Sequence, residues 1–277
     1  MSTFNENDHR RNGLIGGRFS AKENSLPDAV LSPQTGVYDK SECEEDRFAT
    51  RNPAVNRDSV TDLLEFEHGG LRVVINQRRT WVQAHSVIVN FDVVDSSGQK
   101  VGYGVRDIAH MGEDSFGEWH ADHRSLTLDE SVQGLGFSTA FNQHLFKQYK
   151  TFPAQITQVW TQAGADDDIK IGGYQNARLG FTFNSFFGKP REQMQGIWAA
   201  RRPALQELVD AGKVSAATYE AASALFEGRA GTVTPQRIAA LGADEPFVDT
   251  DGRRSHAGKA ILSGSEWWGV KKISRAK

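Results

Sequence analysis

The chain has 277 residues, 38% hydrophobic and 24% charged, with a formal net charge of −3. That length can bury a sizeable core, and the near-balanced charge exerts no global pull toward nucleic acid. The single cysteine, Cys43, excludes an intramolecular disulfide and a cysteine-rich zinc cluster, and its setting in "KSECEEDR" disfavours the thiolate that a nucleophile needs.

Three zones differ in composition. Residues 1–62 are polar and punctuated ("RRNGLIGGRFSAKENSLPD", "SPQTG"), and read as a loosely ordered extension with room for one short docked element. Residues 1–20 hold no apolar signal core, and no run approaches the ~20 apolar residues of a membrane span. A soluble, cytoplasmic protein is the expectation.

From 63 to 188 the pattern changes to strands and helices. "LRVVI" (Leu71–Ile75) is a strand. "SVIVNFDVV" alternates, with Val87, Val89, Phe91 and Val93 on one face, and Ser86, Asn90 and Asp92 on the other. "DSSGQK" supplies turn chemistry and "VGYGVRDIA" a second strand, so 87–109 forms a hairpin. "EWHADHRSLTLD" is the next strand. Leu135, Phe137, Ala140, Phe141, Leu145, Phe146 and Tyr149 then recur at helical spacing, predicting a helix over 135–149. "AQITQVWTQ" is a further strand, and "DDDIKIGGYQNARLGF" opens with three carboxylates suited to the positive end of a helix.

The last zone, 189–277, reads as mainly helical. Ser215 is an N-cap with Val214 and Tyr219 at staple spacing, and "TPQRIAALG" has Thr234 as cap, Pro235 as first helical residue and Gly242 as stop. "WWGVKK" (Trp267–Lys272) and the stretch around Trp198 read as segments packed back onto the body.

The junction "DESVQGLG" between strand and helix carries the functional question. Gly134 and Gly136 let backbone N–H groups point at a ligand with no β-carbon in the way, and the following helix adds its own donors and dipole. The turn lacks the Lys-Ser/Thr ending of a P-loop and the third glycine of a dinucleotide fold. Two readings stay open: a diphosphate seat that needs no metal, or a simple corner.

"LTLDESVQGLGFSTAFNQHLFKQY" resembles the acyl-CoA-binding segment of GNAT-type N-acyltransferases, whose motif is Gln/Arg-x-x-Gly-x-Gly/Ala after a central strand. Gln133, Gly136 and Ser138 occupy the three fixed positions, with serine where glycine or alanine is usual. The strand "AQITQVW" and then "NARLGFTF", with its Gly-Phe turn, follow in the family's order, so the resemblance spans about 71–183.

The resemblance implies an α+β fold with a splayed, mostly antiparallel sheet flanked by helices, and acyl-CoA as co-substrate without a metal. Pantetheine would insert like a strand and pair with backbone around Leu126 and Leu128. The diphosphate would rest on Val132, Gln133, Gly134, Leu135, Gly136, Phe137 and Ser138, and the adenosine 3′-phosphate on one of Arg124, Lys147 or Lys150. The activity implied is transfer of an acyl group to an amine on a peptide, protein or small metabolite.

For the base, strand alternation puts Glu118, His120, Asp122, Arg124 and Leu126 on one face, and Trp119, Ala121, His123 and Ser125 on the other. His120, with Glu118 or Asp122, is the first candidate, and His123 the second. The two histidines point to opposite faces and so make a poor metal pair. The family's thiolate-protonating tyrosine, four residues before the Gly-Phe glycine, is Asn176 here. Tyr174 is the nearest substitute, and Gly172 and Gly173 serve either an irregular backbone or close packing. Beside the transferase stand a non-catalytic module that keeps the fold and the core of a toxin or effector.

Overall fold

A computed structural model describes residues 55–83, 85–110, 118–163, 172–186, 188–229 and 231–274. The three carboxylates of "DDD" lie outside these residues, as does Cys43.

The first element among the described residues, α1 (Arg57–Asp62), falls in the zone read as extension. It is fixed by a capping box in which Asn56 Oδ1 accepts from the Ser59 amide at 2.8 Å and Ser59 Oγ accepts from the Asn56 amide at 3.0 Å. Val60 on its inner face is fully buried.

Then come β1 (Glu67–His68), β2 (Leu71–Ile75), β3 (Trp81–Gln83), β4 (Ser86–Val94) and β5 (Lys100–His110). β4 and β5 form the expected hairpin. Asp95 closes it, since its Oδ1 accepts from the amides of Ser97 and Gln99, each at 2.9 Å.

Next are β6 (Trp119–Leu128), α2 (Phe137–Thr151), β7 (Ile156–Ala163), α3 (Gly172–Arg178) and β8 (Thr182–Phe183). The chain continues through α4 (Pro190–Asp210), α5 (Ala216–Phe226), α6 (Pro235–Ala239), β9 (Phe247–Val248), β10 (Arg254–Ser255), α7 (Ala257–Leu262) and β11 (Trp267–Lys272). Ser215 and Thr234 cap α5 and α6 as expected, accepting from the amides of Thr218 and Arg237.

The main sheet runs β1-β2-β4-β5-β6-β7-β11-β8, with β3 on β4. Neighbours are antiparallel except β6 and β7, which are parallel. This is a mostly antiparallel mixed sheet flanked by helices.

α2 lies over the sheet with Phe137, Phe141, Leu145 and Tyr149 buried, and Phe141 meets Phe91 of β4 edge-on at 5.5 Å. Burying each such side chain contributes roughly 1.5–3 kcal/mol.

The last zone is less purely helical than its pattern suggests. "WWGVKK" is β11, a strand that enters the sheet between β7 and β8, with Trp267 buried to 1% exposure. α4 holds it in register, because Gln193 accepts from the Trp268 amide at 2.9 Å and donates to the Asn184 carbonyl at 2.8 Å. Trp198 of α4 stacks on Phe226 of α5 at 4.7 Å.

Candidate active site

β6 and β7 part company in mid-sheet. Their pairing runs from Trp119↔Ile156 to His123↔Thr161 and stops there, although β6 continues to Leu128. β5 opens this fork. Pairing shifts between Val105↔Ser125 and Asp107↔Asp122, so His123 and Arg124 together face Arg106, a bulge that bends β6. Arg106 stabilises the bend, donating from Nη1 to the carbonyls of Ser125 (2.6 Å) and Val105 (2.9 Å). The bulge also resets the alternation, so Leu126, expected on the His120 face, packs partly against the hydrophobic core.

Backbone direction beyond the fork follows from the antiparallel ladder. The Asp129 amide bonds the Val101 carbonyl, so Thr127 points its amide and carbonyl at Tyr103. Leu126 and Leu128 therefore point theirs into the gap on the β7 side. The Leu128 carbonyl is already taken, accepting from Gln133 Nε2 at 2.8 Å. Gln133 thus braces the turn against β6.

The turn itself divides in two. The amides of Val132 and Gln133 bond the carbonyls of Asp129 (3.1 Å) and Glu130 (3.2 Å), so these two expected diphosphate donors are committed within the chain. Past them, Gly134 (φ 79°) and Gly136 (φ 84°) are left-handed. Within the described residues no acceptor takes up the amides of Gly134, Leu135, Gly136, Phe137 or Ser138. The helix starts at Phe137, two residues later than its periodicity suggests, and Leu135 stands 56% exposed in the turn. The left-handed Gly136 is the reason, because a helix cannot begin before it. Ser138 keeps its Oγ at the rim, accepting from Gln175 Nε2 at 2.7 Å.

The base candidates separate by distance from the fork. Glu118 is exposed before the start of β6, about 16 Å along the strand from His123. His120 stacks on Trp160 at 4.1 Å, and burial, with Arg124 and His110 nearby, pushes its pKa down to about 4. It is therefore a neutral ring near pH 7, with an Nδ1 that finds no partner among the described residues. His123 points the other way, into the core, where Nε2 meets the Tyr149 hydroxyl at 3.0 Å and the ring stacks on Phe146. Desolvation holds it well below the usual histidine range. The two histidines do lie on opposite faces.

Asp122 is one residue from the fork, on the outer face. Loss of solvent raises its carboxyl to about 6 against the opposing pull of Arg124, while the side chain keeps 28% exposure. Arg124 bridges Asp107 at 2.5 Å and Asp122 at 3.6 Å, which ties it to this outer face and away from the glycine turn. Lys147 and Lys150 lie about 15 Å or more along α2 from Gly136, so neither reaches the turn.

Asn176 reaches the fork, donating from Nδ2 to Thr161 Oγ1 at 3.1 Å. Tyr174 does not. Its hydroxyl pairs with His256 Nε2 at 3.0 Å on the opposite side of α3. Gly173 serves close packing, because a Cβ there would lie 2.5 Å from the Leu262 carbonyl oxygen. The His256 partnership could not be read from the sequence, since 82 residues separate the pair.

Among the described residues no group of three or more His, Cys, Asp or Glu is placed to hold a metal ion, and no helix is long and apolar enough to cross a membrane.

No protein-family model and no curated protein match this chain. Solved structures similar to it include Arabidopsis thaliana NAA60 with a bisubstrate analogue, at 17% identity and TM-score 0.29 over 35% of this chain and 62% of that one. They also include RimL, a ribosomal L7/L12 alpha-N-protein acetyltransferase, with coenzyme A, at 17% identity and TM-score 0.26 over 36% and 50%. A third is Arabidopsis thaliana Naa50 with a bisubstrate analogue, at 14% identity and TM-score 0.27 over 54% and 82%. The chain thus spans less than two thirds of NAA60 and RimL, and the likenesses are distant. The sheet itself is the stronger observation: antiparallel strands lead to a parallel pair that splays at the fork, the glycine turn follows the first of that pair, and α3 with the Gly180–Phe181 turn beyond it follows the second. This strand order and splay agree with the mostly antiparallel, helix-flanked sheet that the resemblance to GNAT-type N-acyltransferases implies.

Proposed function

We propose that the chain is an N-acyltransferase that moves an acyl group directly from acyl-CoA to an amine. The observation that carries this reading is the run of amides at 134–138 that find no acceptor among the described residues, continuous with the β6 edge that no described strand pairs beyond the fork. The five amides and the N-terminus of a 15-residue helix suit a diphosphate without a metal. The Leu126 backbone offers a donor and an acceptor to pantetheine, and the thioester then reaches the fork at His123 and Thr161.

Asp122 is the base. Its raised carboxyl, ionised above about pH 6, takes a proton from the acceptor ammonium directly or through one water. The freed nitrogen lone pair attacks the thioester carbonyl carbon, and a main-chain amide of β6 at the fork holds the oxyanion. Collapse breaks the C–S bond. No acidic side chain stands at the fork on α3, because Asn176 occupies it, so the second proton, shed by the nitrogen as it becomes an amide, passes through water to the departing thiolate. His120 and Trp160 wall the amine's side as a neutral, flat surface.

Asn176 also favours a second reading, a module that holds the carrier without turning it over. Thermal shift with CoA, followed by free-thiol release from acetyl-CoA and longer acyl-CoA over an amine panel, tests both. Stabilisation with release supports the enzyme, and stabilisation without release supports the module. No response to CoA rejects both.

A further inference from the structure

A second polar concavity lies on the far side of α3, an open pocket of about 650 Å³ lined by Tyr174, Arg178, Arg254, Ser255, His256 and Lys259 among others. Its three cations come from three elements, α3, β10 and α7, and among the described residues no carboxylate belongs to its wall. Among the described residues, neither Arg178 nor Arg254 has a carboxylate partner. Lys259 donates to the Arg254 carbonyl at 2.8 Å and keeps two further N–H donors.

The floor is fixed by a relay. His256 Nδ1 lies 3.0 Å from the Leu241 carbonyl, which can only accept, so the proton sits on Nδ1. In the neutral ring Nε2 therefore accepts from the Tyr174 hydroxyl, whose oxygen keeps lone pairs for a hydroxyl donor in the pocket.

We propose that this pocket binds a phosphomonoester. One carboxylate would leave most of the three cations unmatched, whereas a phosphomonoester brings up to about two charges and three acceptor oxygens. Residues next in the chain to two of the pocket's lining residues touch the glycine turn. Gln175, next to Tyr174, bonds Ser138 of the turn, and Arg253, next to Arg254, bonds Glu130 at 3.1 Å just before it. Two sources fit this chemistry: the 3′-phosphate of the carrier seated at the turn, which rests on the function proposed above, or a separate phosphorylated ligand.

The test compares the full chain with the double variant Arg178→Gln/Arg254→Gln. Both positions are exposed, so the unliganded melting temperature should stay unchanged. Titration uses CoA, dephospho-CoA lacking the 3′-phosphate, adenosine 3′-phosphate and inorganic phosphate. If the carrier is the source, CoA binds the native chain at least about tenfold more tightly than dephospho-CoA, and the double variant erases that preference. If the ligand is separate, CoA and dephospho-CoA behave alike, while adenosine 3′-phosphate or phosphate raises the melting temperature of the native chain only. That second pattern persists even if neither CoA form binds, which would reject the diphosphate seat and leave the pocket standing. Equal response of both chains to every phosphorylated probe overturns the proposal.

Discussion

The glycines before α2 and Gly173, in the first turn of α3, do opposite work. Gly134 and Gly136 are left-handed, and a Cβ on Gly134 would meet nothing within 4 Å, while one on Gly136 would meet only His68 Nε2 at 3.9 Å. Gly173 has no such conformation, yet a Cβ there would strike the Leu262 carbonyl and Trp267 Nε1, at 2.5 and 2.9 Å. The first pair keeps a surface open, whereas Gly173 draws a helix onto a buried strand. The faces of β6 repeat the contrast, with His123 locked to Tyr149 inside and Asp122 left half-wet outside. Open positions next to unbonded amides point to a ligand, and closed ones point to packing.

The hardest test of the closed side is Gly173→Val, expected to cost about 3 kcal/mol or more because backbone and an indole must move. A melting temperature within a degree of the native value would show that α3 packs more loosely. On the open side, Gly136→Trp should leave a folded protein that has lost its CoA response. At a hundredfold excess over Kd the native response is worth about 2.7 kcal/mol. Retention of that response would remove the turn from the binding site.

Asp122→Asn sharpens the contrast across β6. It should lower kcat/KM by about 10²–10⁴ and abolish the limb that rises from about pH 5 to 7, since the base acts only when ionised. If the limb survives there and vanishes in His120→Gln, the histidine is the base.

The smallest effect belongs to the inner face. The native state holds His123 neutral, whereas the unfolded chain takes up a proton below its ordinary value of 6.5. Stability from this site is thus present above pH 6.5 and drains away as pH falls. Replacing the pair together, His123→Phe with Tyr149→Phe, should be close to neutral at pH 7 and should flatten that acid loss in urea melts at pH 7 and 5. An unchanged pH slope would place the titrating group elsewhere.

Much of the frame was legible because it is local. The alternation of "SVIVNFDVV" and the caps at Ser215 and Thr234 each depend on residues within a few positions of one another, and each appears as read. The strand role of "WWGVKK" was not legible, since a short aromatic and basic run does not say what it pairs with. Its partners Thr161 and Phe183 lie 108 and 86 positions earlier than Gly269. The choice among Glu118, His120, Asp122 and His123 was likewise open, because alternation assigns faces but says nothing of where β7 leaves β6. Periodicity, capping and turn chemistry are properties of neighbours in the chain. The fork, the bulge that makes it and the solvent left around each titratable group arise only when distant segments pack, and those three things decide which side chains can do chemistry.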